Sequence, residues 1–502
     1  ARVLLDRGAQ PERETGSGDK PLRLAIIFQH YETANFLLDR GADPLGLTHG
    51  GTENAWSVSV RDGHTPMVRR MLEMGIPPDK PVAIYGEWWP PVVVAAAQGW
   101  LPILQLLTAH GADIAVVGTG ERTAWTEATH YGRVEVLRWL LEQPYDHEAL
   151  QGGNFPVLHH AAEAGQVEAT RLLLDAGFDP LRAGPHGTVW SEAVVNGREP
   201  IVALLLDHGT DVGTGTDWGA PVWTAARQGY AGVLRRLLQE PGAKAQLDWR
   251  HPQWGTTPVY EAVAIGNKDC VQALLEAGAN PNLRREGKEP ETGMTGIPPL
   301  SKAIGTRQHE VALLLLKHGA DPNATAVDYA PPLYTAFYND RMELFKALLE
   351  HGADPNTTWD WRSMLSWTAY EDRPDYGIEL LKHGANPNVQ NRAGQWLTPL
   401  LAAAYKGHYT LVEALIAHGA DPFAIDWACH DALSVAKDGG HADVVQLLKD
   451  VVKAKESEGL KREPCALQRE SDSDPESEWD REEREAEAER ERERAERERQ
   501  RN

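Results

Sequence analysis

Apolar residues recur along this chain in a two-helix pattern that is clearest in residues 398–422, TPLLAAAYKGHYTLVEALIAHGADP. Thr398 and Pro399 are typical of a helix start, because proline at the first helical position loses no backbone hydrogen bond. Apolar residues follow at helical spacing, and Gly407 and Gly419 each follow one helix, where a left-handed residue commonly ends it. The pattern predicts two short helices, neither of which can bury its apolar face alone.

The pattern occurs thirteen times, and the position of Ala403, here called the anchor, aligns the copies. Leucine lies twelve positions after the anchor in every copy except one, which has Met71. Glycine follows the anchor by four positions in nine copies and by sixteen positions in ten copies. Consecutive anchors are 32 to 41 residues apart, which predicts a stack of helix pairs. The anchors are Ala25, Ser59, Ala95, Ala128, Ala161, Ala193, Ala225, Ala262, Ala303, Ala336, Thr368, Ala403 and Ala436.

With a period near 33 residues and a Thr-Pro-Leu-His-x-Ala-like opening, the chain resembles the ankyrin repeat. The opening is matched by Thr257-Pro258, by Thr398-Pro399-Leu400 and by Leu158-His159-His160-Ala161. The resemblance implies an all-α solenoid of about thirteen helix-turn-helix repeats with hairpin or loop fingers. It leaves the function open, because such arrays are recognition scaffolds for unrelated partners.

The predicted solenoid spans residues 1–452. Residues 1–12 are typical of a second helix whose first helix is missing, so we expect a fragment of a longer protein. Residues 431–452 carry more polar positions and are expected to cap the stack. Residues 453–502 are charged and poor in aliphatic side chains, which predicts a largely disordered or labile-helix tail.

Three segments depart from the regular pattern. Proline in the exits of two second helices, Pro144 and Pro241, predicts local irregularity there. The polar insertion after Asn282 contains glycine and proline, which predicts a protruding loop.

The net charge of the chain restricts the classes of partner that it is expected to bind. The net charge is −23, of which the tail contributes −5 through 13 Lys/Arg against 18 Asp/Glu, leaving −18 for residues 1–452. An acidic body argues against nucleic acid and anionic membranes, and favours protein partners with a basic surface. The three cysteines are too scattered for a disulfide framework, which favours an intracellular, cytoplasmic or nuclear, location.

Nineteen histidines raise the question of an enzyme or a metal site. Six precede the glycine that ends a second helix, where imidazole can contact terminal carbonyls. His159 falls on the opening motif, where a bond to the turn backbone is expected. The sequence contains no phosphate loop, zinc spacing or nucleophile motif, so we predict no catalytic residue, no metal and no cofactor. The six residues are His110, His208, His318, His351, His383 and His418.

Tryptophan is unusually frequent, with 17 residues against 7 phenylalanines. One group falls on helix positions and is expected to fill the core; it comprises Trp56, Trp125, Trp139, Trp190 and Trp367. A second group lies in the finger, the segment just before a first helix, at or near seven positions before the anchor. Either stacking between adjacent fingers or contact with a partner explains this second group. The candidate partner-binding residues are Trp88, Trp89, Trp218, Trp254, Trp361 and Trp396.

The predicted function is a non-catalytic scaffold, expected to be monomeric, that binds proteins through a concave groove and the tryptophan-bearing fingers. Alternatives are the substrate-recognition arm of an enzyme assembly such as a ubiquitin ligase, and an enzyme with an unrecognised site. In the tail, Ser471, Ser473 and Ser477 each have an acidic residue three positions later, which resembles sites of acidophilic kinases. A solvated tail with unmodified serines is the alternative.

Overall fold

A computed structural model describes residues 3, 6–16, 18–48, 53–84, 87–151, 156–184, 187–287, 296–326, 329–390, 398–426 and 428–459. The chain forms two compact units, residues 1–287 and 288–502. The boundary between them falls within the polar insertion after Asn282.

The first unit contains eight helix pairs, repeats 1 to 8, within its described residues. The first helices of consecutive repeats contact one another along the unit. The pairs are α1 (Pro21–Ile27) with α2 (Tyr31–Asp39), α3 (Ala55–Arg61) with α4 (Thr65–Glu73), α5 (Pro91–Gln98) with α6 (Leu101–Ala109), α7 (Ala124–His130) with α8 (Val134–Glu142), α10 (Val157–Glu163) with α11 (Val167–Asp175), α12 (Val189–Val195) with α13 (Glu199–Asp207), α14 (Pro221–Gln228) with α15 (Ala231–Leu238), and α16 (Pro258–Ala264) with α17 (Lys268–Glu276).

The second unit contains five helix pairs, repeats 9 to 13, in the part that the structure describes. The second helices of consecutive repeats contact one another throughout. The pairs are α18 (Pro299–Gly305) with α19 (His309–Lys317), α20 (Pro332–Tyr338) with α21 (Met342–Glu350), α22 (Met364–Tyr370) with α23 (Pro374–Lys382), α24 (Pro399–Lys406) with α25 (Tyr409–Ala417), and α26 (Ala432–Asp438) with α27 (Ala442–Ser457). Thirteen pairs in the two units confirm the predicted repeat architecture.

The core lies between the two helices of each pair and between neighbouring pairs. All thirteen anchors are buried, and so is the residue twelve positions after each of them, from Leu37 to Leu448. The large tryptophans predicted for the core at Trp56, Trp125 and Trp190 are also buried. Trp139 and Trp367 are half-buried. The alignment of copies in the sequence therefore identified the core correctly.

Helix starts follow the local sequence. The Thr257 hydroxyl accepts a hydrogen bond from the backbone N–H of Tyr260, and Pro258 follows at the first helical position. Thr398 caps α24 in the same way through the N–H of Leu401. These caps satisfy N–H groups that have no partner within the helix.

The residue four positions after the anchor is left-handed in all thirteen repeats. The nine glycines predicted there have φ between 62° and 84°. The other four repeats place a residue with a side chain in the same conformation, at Gln29 (φ 58°), Arg307 (62°), Asp340 (57°) and Asp372 (55°). Because a Cβ is disfavoured in this region, these four positions carry local backbone strain.

In the described ranges, three fingers form short antiparallel hairpins: β1 (Val82–Ile84) with β2 (Glu87–Trp89), β3 (Ala183–Gly184) with β4 (Gly187–Thr188), and β5 (Thr358–Trp359) with β6 (Arg362–Ser363). The irregular exits form the short helix α9 (His147–Gln151) and a 3₁₀ helix at Pro241–Gln246. The irregularity predicted at Pro144 and Pro241 is thus confirmed.

The ends of the chain are described only in part. α27 continues to Ser457, five residues beyond the predicted end of the solenoid at residue 452. Residues 460–502, most of the predicted tail, lie outside the described residues, as do residues 1, 2, 4 and 5 of the predicted partial repeat at residues 1–12. No helix in the described ranges is long and apolar enough to cross a bilayer.

Candidate functional site

The finger of repeat 3 presents Trp88 and Trp89 differently, because neighbouring residues of a strand face opposite sides. Trp88 is 47 % exposed, and it pairs with Ala83 across the hairpin. Trp89 is half-buried: the guanidinium of Arg122 lies 4.6 Å from its ring centroid, and its indole N–H donates to Glu87 at 3.2 Å. Arg122 belongs to the next finger, so Trp89 contacts the adjacent repeat while Trp88 projects into solvent.

Two further finger tryptophans project from tight turns. Trp218 is 44 % exposed, in the turn that Thr216 and Gly219 close, and its backbone N–H donates to the Thr216 hydroxyl at 3.3 Å. Trp361 is 53 % exposed at the tip of the β5–β6 hairpin. Both tip residues, Asp360 (φ 50°) and Trp361 (φ 62°), are left-handed, which is the backbone of a two-residue hairpin turn.

Trp254 is instead part of an aromatic cluster. Its ring stacks on His251 at 4.3 Å and lies 5.1 Å from Trp223, which is fully buried. The guanidinium of Arg227 lies 3.8 Å from the Trp254 centroid. These contacts hold Trp254 against its own unit, whereas the sequence placed it in one group with the projecting tryptophans.

A group of exposed and half-buried aromatic side chains lies on repeats 10 to 12 of the second unit. Tyr334 stacks on Tyr338 at 6.1 Å and contacts Trp359 at 6.0 Å and Trp367 at 5.6 Å. The indole N–H of Trp367 donates to the carbonyl of Trp359 at 3.0 Å, which joins the finger of repeat 11 to its first helix. The aromatic surface, as it is called below, consists of Tyr334, Tyr338, Trp359, Trp361, Trp367, Tyr370 and Tyr405.

Cations of the same unit pack over part of the aromatic surface. The guanidinium of Arg362 lies 5.0 Å from the Trp367 centroid and 4.9 Å from that of Tyr370. The Lys406 ammonium lies 5.2 Å from the Tyr370 centroid. Burial raises the pKa of the Tyr334 hydroxyl, so this group remains a neutral hydrogen-bond donor at physiological pH.

Three tyrosines of the aromatic surface occupy equivalent positions, two residues after the anchor of consecutive repeats. They are Tyr338, Tyr370 and Tyr405, which are 70 %, 41 % and 40 % exposed. Our sequence interpretation concentrated on tryptophan in the fingers and missed these tyrosines. Comparing this offset across the aligned copies would have revealed them, because a residue just after a buried anchor on a short helix faces away from the core.

Carboxylates lie immediately before the anchor in three repeats of the first unit. Glu261 accepts a hydrogen bond from Arg227 at 2.9 Å, and Glu127 lies 3.8 Å from Arg122. Glu192 is 9 % exposed and has no cation in contact among the described residues. Burial, with the charges of Glu163 and Asp217, raises the pKa of Glu192 to about 7.

The histidines at the second-helix ends have a structural role in five of the six cases. In each, Nδ1 lies 2.8–3.0 Å from the carbonyl oxygen four residues earlier. Nε2 of His159 lies 3.0 Å from the carbonyl of Gly187, so its predicted bond to a turn backbone is confirmed. No group of three His, Cys, Asp or Glu side chains in the described ranges could hold a metal ion. The five are His110, His208, His351, His383 and His418.

Several predicted residues lie outside the described residues. They are the candidate partner-binding Trp396 and the tail serines Ser471, Ser473 and Ser477.

Comparison with known proteins identifies the repeated unit. The family model for ankyrin repeats in three copies matches residues 92–184, 190–285, 222–326 and 365–456. The chain is 31 % identical over 195 residues to ankyrin repeat protein nuc-2 of Neurospora crassa, covering 38 % of this chain and 18 % of that protein. It is 31 % identical over 198 residues to a Caenorhabditis elegans homolog of transient receptor potential cation channel subfamily A member 1. The match covers 38 % of this chain and 16 % of that protein.

A third relative is matched over most of its length. The chain is 37 % identical over 125 residues to cyclin-dependent kinase 4 inhibitor B of Bos taurus, covering 24 % of this chain and 92 % of that protein. The chain thus spans less than a fifth of the length of the first two relatives.

Proposed function

Because the chain belongs to the ankyrin repeat family, we propose that it is a non-catalytic scaffold that binds partner proteins through the exposed face of its first helices and through its fingers. Ankyrin repeats bind other proteins and are generally non-catalytic. The proposal extends this general role to named surfaces of this chain.

The aromatic surface is the observation that carries the proposal. Seven tyrosine and tryptophan residues lie on three consecutive repeats, and Tyr338 and Trp361 are each more than half exposed. Large aromatic side chains in water are unfavourable unless a partner covers them, and tyrosine and tryptophan are enriched among the residues that dominate binding energy.

The contacts within the aromatic surface support a preformed site. Trp367, Trp359 and Tyr334 are held by a hydrogen bond and by ring packing. A partner would therefore meet side chains that have already lost most of their rotamer freedom, which reduces the entropy cost of association. The net charge of −23 favours a partner surface that is basic or neutral, and disfavours nucleic acid and anionic membranes.

Affinity capture with the full chain tests the proposal. We would compare the wild type with a chain carrying Tyr338→Ala, Trp361→Ala and Tyr370→Ala, and identify the retained proteins by mass spectrometry. The matched control carries Phe28→Ala, Tyr131→Ala and Tyr409→Ala, which remove three exposed aromatic side chains outside the aromatic surface.

We expect a specific protein to be retained by the wild type and the control and lost by the first variant, with all three chains equally helical by circular dichroism. Equal retention by all three chains would contradict the assignment of the aromatic surface. The absence of any specifically retained protein would contradict the scaffold function.

A further inference from the structure

The carboxylates that precede the anchor show how this chain satisfies a buried negative charge. In repeats 7 and 8, Arg227 lies two positions after one anchor and donates to Glu261, one position before the next. In repeats 5 and 6, the equivalent positions are occupied by Glu163 and Glu192. A carboxylate thus stands where the fold elsewhere places a guanidinium.

Glu192 has no counter-charge within the part of the chain that the structure describes. Its side chain is nine-tenths buried, and Oε2 has no hydrogen-bond partner among the residues that the structure describes. Among the described residues, no cation forms an ion pair with Glu163, Glu192 or Asp217. A buried carboxylate without a partner is costly, so the site is incomplete as the isolated chain presents it.

Ser191, which precedes Glu192 in α12, holds Asp217 through two hydrogen bonds. The Ser191 hydroxyl donates to the Asp217 carboxylate at 3.2 Å and accepts from the Asp217 backbone N–H at 3.0 Å. Asp217 belongs to the finger of repeat 7, and the next residue is the exposed Trp218. The charges of Glu163 and Asp217 both act on Glu192, so three carboxylates from three consecutive repeats lie near one another.

We propose that Glu163, Glu192 and Asp217, called here the carboxylate site, receive an arginine side chain of the partner protein. This inference rests on the proposed scaffold function and specifies the chemistry of one contact. The arginine would pair with Glu192 as Arg227 pairs with Glu261. Its aliphatic stem and guanidinium would pack on the face of the Trp218 ring.

Arginine fits the site better than a metal ion. No group of three His, Cys, Asp or Glu side chains in the described part of the chain could hold a metal ion, which argues against a metal as the ligand of the carboxylate site. The planar guanidinium has five donors and can serve several carboxylates at once, whereas lysine has a compact ammonium. Arginine is also enriched in the buried centres of interfaces, and lysine is depleted there.

Within the described ranges, the neighbouring basic groups Arg198 and His160 do not pair with the carboxylates of the site. The Arg198 guanidinium donates to the backbone carbonyl of Glu163 at 2.9 Å, and this bond keeps it at the end of α10. Burial lowers the pKa of His160, against the opposing effect of Glu163, so this imidazole is neutral at physiological pH.

Peptides selected from a randomised display library against the full wild-type chain test the inference. Each selected peptide would be measured in two forms, with arginine and with citrulline, which keeps the shape but removes the charge. The two forms would be titrated against the wild type, Glu163→Arg, Glu192→Gln and the control Glu276→Arg. Glu276 is exposed at the end of α17, so this control makes the same charge change elsewhere in the unit.

For at least one peptide family, we expect citrulline to weaken binding to the wild type about tenfold or more, as the loss of a charge-assisted contact does. Glu163→Arg and Glu192→Gln should weaken the arginine form by a similar factor, and Glu276→Arg should not. Glu163→Arg should also raise the thermal midpoint at pH 8, because it supplies the missing partner of Glu192 from within the chain.

The alternative outcomes separate the two proposals. If every selected peptide bound the wild type and Glu163→Arg equally well, or were insensitive to citrulline, the carboxylate site would be overturned and the scaffold function would stand. A library that yields no binder for the wild type would contradict the scaffold function together with this site.

Discussion

The indole N–H of Trp367 donates a 3.0 Å hydrogen bond to the backbone carbonyl of Trp359. Trp359 lies in β5 of the finger, and Trp367 lies in the first helix of the same repeat. The bond fixes the finger against the helix, and Tyr334 of the preceding repeat packs on both rings. The aromatic surface is therefore a structured part of the second unit, with Tyr338 and Trp361 projecting from it.

The aromatic surface predicts different effects for its exposed and packed members. Tyr338→Ala should change the free energy of unfolding by less than about 0.5 kcal/mol, because Tyr338 is 70 % exposed. It should weaken binding of a captured partner by ~2 kcal/mol. Trp367→Ala should lower both stability and affinity, because it also removes the bond to Trp359. Urea unfolding and calorimetric titration measure the two quantities. A Tyr338→Ala chain that binds normally would place the interface elsewhere.

The repeated core leucine predicts large losses of stability in either unit. Leu205 and Leu348 are fully buried at equivalent positions of repeats 6 and 10. Leu205→Ala or Leu348→Ala should each lower the free energy of unfolding of its own unit by about 2–5 kcal/mol, because each leaves a cavity. The exposed Leu181→Ala serves as the control and should have little effect. Urea unfolding followed by circular dichroism checks this, and losses below about 1 kcal/mol would contradict the repeat alignment.

Strain at the left-handed position predicts that a glycine substitution is stabilising. Gln29 is exposed and has φ 58°, in a position where nine repeats have glycine. Gln29→Gly should raise the free energy of unfolding by about 0.5–1 kcal/mol, since relief of the Cβ clash outweighs the entropy that glycine adds to the unfolded chain. Gln29→Ala keeps the Cβ and should give no comparable gain. If Gln29→Gly had a lower thermal midpoint than the wild type, contacts of the Gln29 side chain would contribute more to stability than the backbone strain costs.

The raised pKa of Glu192 predicts a pH-dependent stability. The folded chain binds a proton on Glu192 up to about pH 7, whereas the unfolded chain releases it near 4.5. Stability therefore falls as pH rises through this window, and the loss is complete above pH 7. Glu192→Gln should be more stable than the wild type by about 1–3 kcal/mol at pH 8, and by much less at pH 5. A difference between Glu192→Gln and the wild type that does not change with pH would contradict this account of Glu192.

The sequence correctly predicted the structural features that depend on the local residue pattern. Helix starts at Thr257 and Thr398, the left-handed glycines and the buried anchors follow from rules that act within one repeat. It also placed Trp218 and Trp254 in one group, since both lie near the same offset from an anchor. The structure separates them because Trp254 meets His251, Trp223 and Arg227, and such contacts depend on side-chain packing that the spacing does not encode.

Contacts between repeats were harder to foresee for the same reason. The Arg227–Glu261 pair joins residues 34 positions apart, and its significance appears only once the repeats are stacked in register. The contrast with Glu163 and Glu192 then becomes visible, because equivalent positions in different repeats can be compared directly.

Site-specific photo-crosslinking tests the central claim most directly. p-Benzoylphenylalanine would replace Tyr338 on the aromatic surface or, as the control, Tyr409 at the start of α25. After irradiation in cells, we expect a covalent adduct with a partner protein from position 338 and none from position 409. An adduct from position 409 alone, or equal yields from both positions, would contradict binding through the aromatic surface.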